Sequence, residues 1–248
     1  SIFHMVVAGV SGIVSIFTSG LSASFGDVIA RNEQSILQKA YQEFELMFYA
    51  LISWAFSCTM VLIMPFIKLY TAGINDVNYN IPLIGFLFTL NGLLFSLKTP
   101  QGMLVISAGL FRETRLQVTI QGLIAVVGGV IFVQFLGLAG ILIGSILSNI
   151  YRDIDLLFYI PHKLTKLKVR TSFYRMLRVF ICFGLTCWPF VQFIHIDCHN
   201  FLEWTGWAVI TAIYALLVVV IVNYLLDRRV FMNVMGRFKS LTRKRSVT

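Results

Sequence analysis

Charged residues in this chain fall in short islands, and the uncharged runs between them are long enough to cross about 30 Å of hydrocarbon. Read in order, the runs predict seven membrane-spanning helices, at 3–24, 45–67, 81–104, 117–135, 138–159, 178–195 and 204–226. The stretch from Leu116 to Tyr151 carries no charge at all. At about 1.5 Å per residue it is too long for one crossing, so it predicts two helices with a turn at Phe135-Leu136-Gly137.

Lys and Arg alternate between the ends of these spans, and retention of basic loops on the cytoplasmic side orients the chain. The cytoplasmic set is Arg31 and Lys39, then Arg112 and Arg115, then Lys163, Lys166, Lys168, Arg170, Arg175 and Arg178. The tail adds Arg228, Arg229, Arg237, Lys239, Arg243, Lys244 and Arg245. The opposite loops, Thr71 to Asn78 and His195 to Asn200, are almost free of basic residues, with Lys68 alone beside the first. The expected topology starts outside and ends in the cytoplasm, as a multi-pass protein of the cell (inner) membrane.

Composition agrees with the pattern. The 248 residues are 58% hydrophobic and 12% charged, an apolar share above that of soluble domains. The formal net charge of +9 is then topogenic, reinforced by attraction of juxtamembrane basic segments to anionic lipid headgroups. A nucleic-acid partner is excluded, because no soluble presenting surface accompanies the charge. The lipid bilayer is the expected partner. Four segments result: five spans in 1–160, a basic cytoplasmic loop in 161–178, two C-terminal spans in 179–227 and a basic tail in 228–248. Ser at position 1, at the edge of an apolar run, is no signal peptide, and points to a chain that continues something longer. Cys58, Cys182 and Cys187 fall inside spans as small apolar side chains, and Cys198 has no external partner for a disulfide.

Several polar residues fall within the spans. Ser11, Ser15, Thr18 and Ser22 recur at intervals of four, three and four, on one face of the first helix, as small-residue packing or as a polar cavity lining. His4, Asp27 and Arg31 bracket that helix. Gly137, Gly140, Gly144 and Ser148 include a Gly-x-x-x-Gly pair for close helix approach. Below them, Arg152, Asp153 and Asp155 lie inside the inner membrane boundary, with Arg152 and Asp155 spaced for an i, i+3 pair. Arg152 either snorkels to headgroups or binds an anion in a cavity. Lys98 sits in Ser96-Leu-Lys-Thr-Pro-Gln-Gly102, where Pro100 is expected to kink the helix and free backbone carbonyls. A broken helix with an intramembrane lysine is a transporter signal.

No motif for an enzyme emerges. A nucleophile elbow, phosphate loop, His-Glu-x-x-His and dinucleotide fingerprint are all missing from the sequence, and no cofactor is expected. His195, Asp197, Cys198 and His199 fit no structural zinc spacing, so no metal site is assigned.

Four segments carry a family resemblance. They are Leu21-Ser-Ala-Ser-Phe-Gly-Asp-Val-Ile-Ala-Arg31, Met64-Pro-Phe-Ile-Lys-Leu-Tyr-Thr-Ala-Gly73, Gly109-Leu-Phe-Arg-Glu-Thr114 and Gly137-Leu-Ala-Gly-Ile-Leu-Ile-Gly-Ser-Ile-Leu-Ser148. In that order the chain resembles the second half of the polysaccharide or O-antigen flippases of the multidrug, oligosaccharidyl-lipid and polysaccharide exporter superfamily. The resemblance implies an all-α bundle: a MATE-like C-terminal lobe plus two extra helices, whose N-terminal lobe is the missing partner. It also implies a lipid-linked oligosaccharide substrate moved by alternating access, with a coupling cation as a further partner and no bond made or broken. A phosphate-bearing headgroup crossing hydrocarbon needs positive charge and hydrogen bonds in place of water. By depth and face, Lys98 and Arg152 would supply the charge, Ser11, Ser15, Thr18, Asn91 and Gln101 the hydrogen bonds, and Asp27 with Arg31 an inner gate.

Two alternatives share the architecture. A drug or metabolite antiporter would carry acidic residues within its helices, and this chain offers Asp153 and Asp155. A structural membrane subunit would need none of the buried charge. A seven-helix receptor fits the count, but its seventh span, Trp204 to Leu226, has neither a lysine nor an Asn-Pro pair.

Overall fold

The computed structural model describes residues 2–18, 20–73, 79–194, 196–228 and 230–236. The described residues form helices joined by short turns: α1 (Ile2–Ile16), α2 (Leu21–Ala30), α3 (Gln34–Tyr70), α4 (Pro82–Leu97), α5 (Thr99–Ser107), α6 (Phe111–Leu136), α7 (Leu138–Ile160), α8 (Val169–Gln192) and α9 (Phe201–Leu226). A π-helical turn, Pro161–Thr165, follows α7. Residues 74–78, expected in an outer loop, His195, and the basic residues Arg229, Arg237, Lys239, Arg243, Lys244 and Arg245 lie outside the described residues.

By length and composition, α3, α4 with α5, α6, α8 and α9 can each cross a membrane, and α1 with α2 makes a sixth crossing if the bent pair is one span. The 23 residues of α7 reach about 34 Å, which is also enough, although Arg152, Asp153 and Asp155 fall in its second half. About seven spans follow, as the hydropathy pattern predicts. The protein is a multi-pass helical membrane bundle.

Helix α3 is its spine. Tyr41, Phe48, Ile52, Phe56, Ile63 and Ile67 are buried at helical spacing, and α1, α4, α8 and α9 pack around them. The outward side chains are equally apolar. Leu123, Val126 and Val130 of α6 are more than half exposed, which in water would be an aggregating surface and in lipid is ordinary solvation.

The uncharged stretch turns where expected. Gly137, with φ 56° and ψ −132°, separates α6 from α7 in a backbone region that essentially only glycine adopts. The two helices then close on a glycine seam. A Cβ on Gly144 would lie 2.3 Å from the backbone nitrogen of Gly129, and one on Gly140 2.2 Å from the carbonyl of Phe132. No side chain fits at either place.

Two expectations are corrected. The first span does not run unbroken from 3 to 24: α1 ends at Ile16, and Gly20, in the left-handed region at φ 79°, precedes α2. The side chains of Ser15 and Thr18 donate back to the carbonyls of Gly12 and Ser15, both at 2.7 Å, local bonds that compete with continuing the helix. Nor is 161–178 a loop. The π-helical turn and then α8, from Val169, occupy most of it, and Gln34 and Gln38 of α3 donate to the carbonyl of Thr165 to fasten the connection.

Candidate functional site

The site forms where α4 breaks. Pro100 has no N–H to give the carbonyl of Ser96, α4 stops at Leu97, and α5 starts at Thr99, leaving Lys98 at the junction. From there the Lys98 ammonium donates to Asn149 Oδ1 and sits 4.6 Å from the centroid of the Phe95 ring. Asn149 Nδ2 donates to Asn91 Oδ1 at 2.9 Å, and the Ser145 hydroxyl donates to the same oxygen at 2.9 Å. A polar chain thus runs between α4 and α7 through the middle of an apolar bundle.

One turn beyond Asn149 stands Asp153, on the same face of α7 by its i, i+4 spacing. It is 5% exposed, and neither carboxylate oxygen has a hydrogen-bond partner among the described residues. Lys98 is the cation that acts on it electrostatically, without forming an ion pair with it. The helix faces around it are apolar: Leu94 and Leu97 of α4 and Met176, Leu177 and Phe180 of α8 share a cavity of about 180 Å³ with it. A bare buried carboxylate is costly in such surroundings.

Arg152, also 5% exposed, faces the other way. Its Nη1 pairs with Asp155 Oδ2 at 2.5 Å, the i, i+3 pair expected from spacing. Lys98 and Arg152 nonetheless share a cavity of about 500 Å³, walled by Thr18 and Ser22 before and within α2, Thr99 and Met103 of α5, and Thr114 and Gln121 of α6. Two cations 54 positions apart in sequence therefore meet at one cavity, whose wall mixes these polar side chains with apolar ones such as Phe95, Ile106, Phe111 and Val118.

The other expected site residues divide. Thr18 lines this cavity, while Ser11 and Ser15 do not border it. Asn91 joins indirectly, through Asn149. Gln101 is buried and donates to the Tyr49 hydroxyl at 2.9 Å, facing α3. Asp27 and Arg31 pair with each other at 3.1 Å on the exposed side of α2, making no contact across the bundle in this conformation. Asn149, Thr114 and Gln121 were not expected as site residues, and Asp153 was expected only on the antiporter alternative. The signal for Asn149 and Asp153 was present as an Asn and an Asp one helical turn apart inside a span.

A second ionic cluster lies between α3, α8 and α9. Arg175 Nη1 pairs with Glu45 at 2.7 Å and its Nε with Asp227 at 3.2 Å. Arg178 reaches the same Asp227 oxygen at 3.5 Å and donates to Asn223 at 3.0 Å, while the Tyr41 hydroxyl donates to Glu45 at 3.0 Å. Glu45 is fully buried and Arg175 nearly so. Both arginines, expected at the edge of a basic loop, are thus buried in the bundle.

No family model, curated protein or solved structure matches this chain.

Proposed function

We propose that this chain is part of a membrane flippase whose cavity receives the anionic, phosphate-bearing headgroup of a lipid-linked oligosaccharide and carries it across the bilayer by alternating access. One observation carries the reading: Lys98 and Arg152 converge on one cavity whose otherwise largely apolar wall also presents Thr18, Ser22, Thr99, Thr114 and Gln121. Charged side chains within membrane spans are retained where they meet a polar substrate or wet cavity, and a phosphodiester is the ligand that two cations and several donors suit. On this reading a first lobe of the same protein faces the cavity, the break at Lys98 is a hinge of the kind discontinuous transporter helices use, and no bond is made or broken. The resemblance noted in the sequence points the same way.

Lys98→Cys and Arg152→Cys, each in a background lacking the native cysteines, test it. Both should react with a membrane-impermeant thiol reagent, and a bound phosphodiester should protect both, while Val126→Cys on the lipid face stays inert. Inertness of both site cysteines in every condition would overturn the reading.

The unpaired Asp153 carboxylate favours a second reading, an antiporter of the same superfamily that exports a cationic drug or metabolite. It requires Asp153→Asn to abolish cation export in proteoliposomes and Arg152→Gln to spare it.

A further inference from the structure

The charges at the cavity raise a difficulty for any anion that enters it. Lys98 and Arg152 are accompanied by Asp153 and Asp155, so the four groups are formally neutral together. Arg152 already spends one Nη on Asp155, and the Lys98 ammonium is the charge that compensates Asp153. An anion drawing Lys98 to itself would leave Asp153 as a bare carboxylate facing Leu94, Leu97, Met176, Leu177 and Phe180, with no donor to replace the lost cation. Among the described residues, Lys98 is the cation that acts on Asp153. On α3, Tyr49 feels the charge of Asp153 and its hydroxyl accepts from Gln101, while Glu45 is held by Arg175. From α8 the facing side chains carry no charge, and on α7 itself Arg152 and Asp155 are paired.

We infer that Asp153 is a proton-binding site linked to the anion site: a proton from water moves onto its carboxylate as the anion engages Lys98, so that anion and proton enter together. The added proton leaves the four groups with one net positive charge to meet one negative charge. This inference rests on the flippase reading and names its coupling at the same site. The sign follows from linkage: if the anion-bound state holds one more proton than the free state, the anion binds more tightly as pH falls. Reciprocally, the anion raises the affinity of Asp153 for its proton by the same factor. Asp153 reaches this role through geometry alone, being nine-tenths buried, without a hydrogen-bond donor and one helical turn from the residue that holds Lys98.

The experiment is calorimetric titration of the full chain in lipid nanodiscs with a short-chain dialkyl phosphodiester, whose own charge does not change across the neutral range. Running it in two buffers of different ionisation enthalpy counts protons directly. Wild type should take up a proton fraction approaching about one per phosphodiester, and its affinity should change by up to about tenfold per pH unit. Asp153→Asn should bind with pH-independent affinity and no proton uptake. The wild-type measurement needs no variant, so a poorly folding Asp153→Asn does not protect the idea. Binding without proton uptake in wild type, abolished by Lys98→Gln, overturns the linkage and leaves the anion site standing. Binding that survives both Lys98→Gln and Arg152→Gln, or no binding in wild type, overturns the anion site itself and the inference with it.

Discussion

Among the described residues, two buried ionic clusters have equal formal charge, each with two cations and two carboxylates, and they differ in how far they are closed. Around Arg175, the carboxylates of Glu45 and Asp227 both meet guanidinium nitrogens, and Tyr41 and Asn223 take up further bonds. Around Lys98, the ammonium bonds to an amide, the Asp153 carboxylate has no hydrogen-bond partner among the described residues, and a cavity of about 500 Å³ borders Lys98 and Arg152. The first cluster holds α3, α8 and α9 together. The second stores an incomplete set of bonds beside a space. On the proposed reading, burial of charge alone does not mark a binding site in a membrane protein. The mark is burial with an open valence and room for what would fill it.

Substitutions separate the two. Arg175→Met should have the largest effect, because it strands Glu45 with Tyr41 alone and strips Asp227 of its closer partner. Loss of one member of a buried ion pair costs about 3 to 5 kcal/mol, which denaturant unfolding in a fixed detergent would measure. Adding Glu45→Met should restore most of the loss, and failure to do so would show that the pair is not the origin of the cost. Next comes Gly144→Ala, whose Cβ has no space against Gly129. Overpacking of this kind costs about 1 to 3 kcal/mol, visible as a lowered unfolding midpoint together with loosened α6 in hydrogen exchange.

The same edit, carboxylate to amide, gives the sharpest contrast. Glu45→Gln weakens a charge-assisted contact to Arg175 and should destabilise by about 1 to 3 kcal/mol. Asp153→Asn removes an unsatisfied charge and should leave stability within about 1 kcal/mol of wild type or above it. If both edits destabilise equally, the contrast between the clusters fails. Asp27→Asn is the smallest, an exposed i, i+4 pair contributing about 0.5 kcal/mol at most.

Much of this was legible in the sequence because lipid imposes a one-dimensional constraint. Span number, the turn at Gly137, the glycine seam, the break at Pro100 and the Arg152–Asp155 pair all depend on residues within one or two turns of each other. The break after Ile16 was missed because its hydroxyl spacing fits a continuous helix, and Gly20 ends it by a backbone conformation that hydropathy does not report. Arg175 and Arg178 read as loop cations for a different reason. Their counterions Glu45 and Asp227 lie 130 and 52 positions from Arg175, and a basic residue near a span end looks alike whether it snorkels outward or pairs inward. At the site, the convergence of Lys98 and Arg152 was expected from depth, but the wall supplied by α6 was not. The open valence of Asp153 is visible only once α8 is known to bring Met176, Leu177 and Phe180 against it.

The hairpin of α6 and α7 also bears on how the chain gets into the membrane. Its turn is a single glycine with no charged or strongly hydrated residue to hold it at a surface, and from Leu116 to Tyr151 neither arm carries a charge. The arms gain their seam only when side by side, with Gly128 and Gly129 against Gly144. An unpaired α6 would meet lipid along an otherwise smooth apolar cylinder, whereas α7 alone would bring Arg152, Asp153 and Asp155 into hydrocarbon. Inserting as a pair, α6 covers part of α7 before those three residues must leave water. The seam that lowers the midpoint when filled is thus also the surface along which the two arms can enter the membrane together, and a side chain larger than alanine at Gly144 is expected to reduce insertion as well.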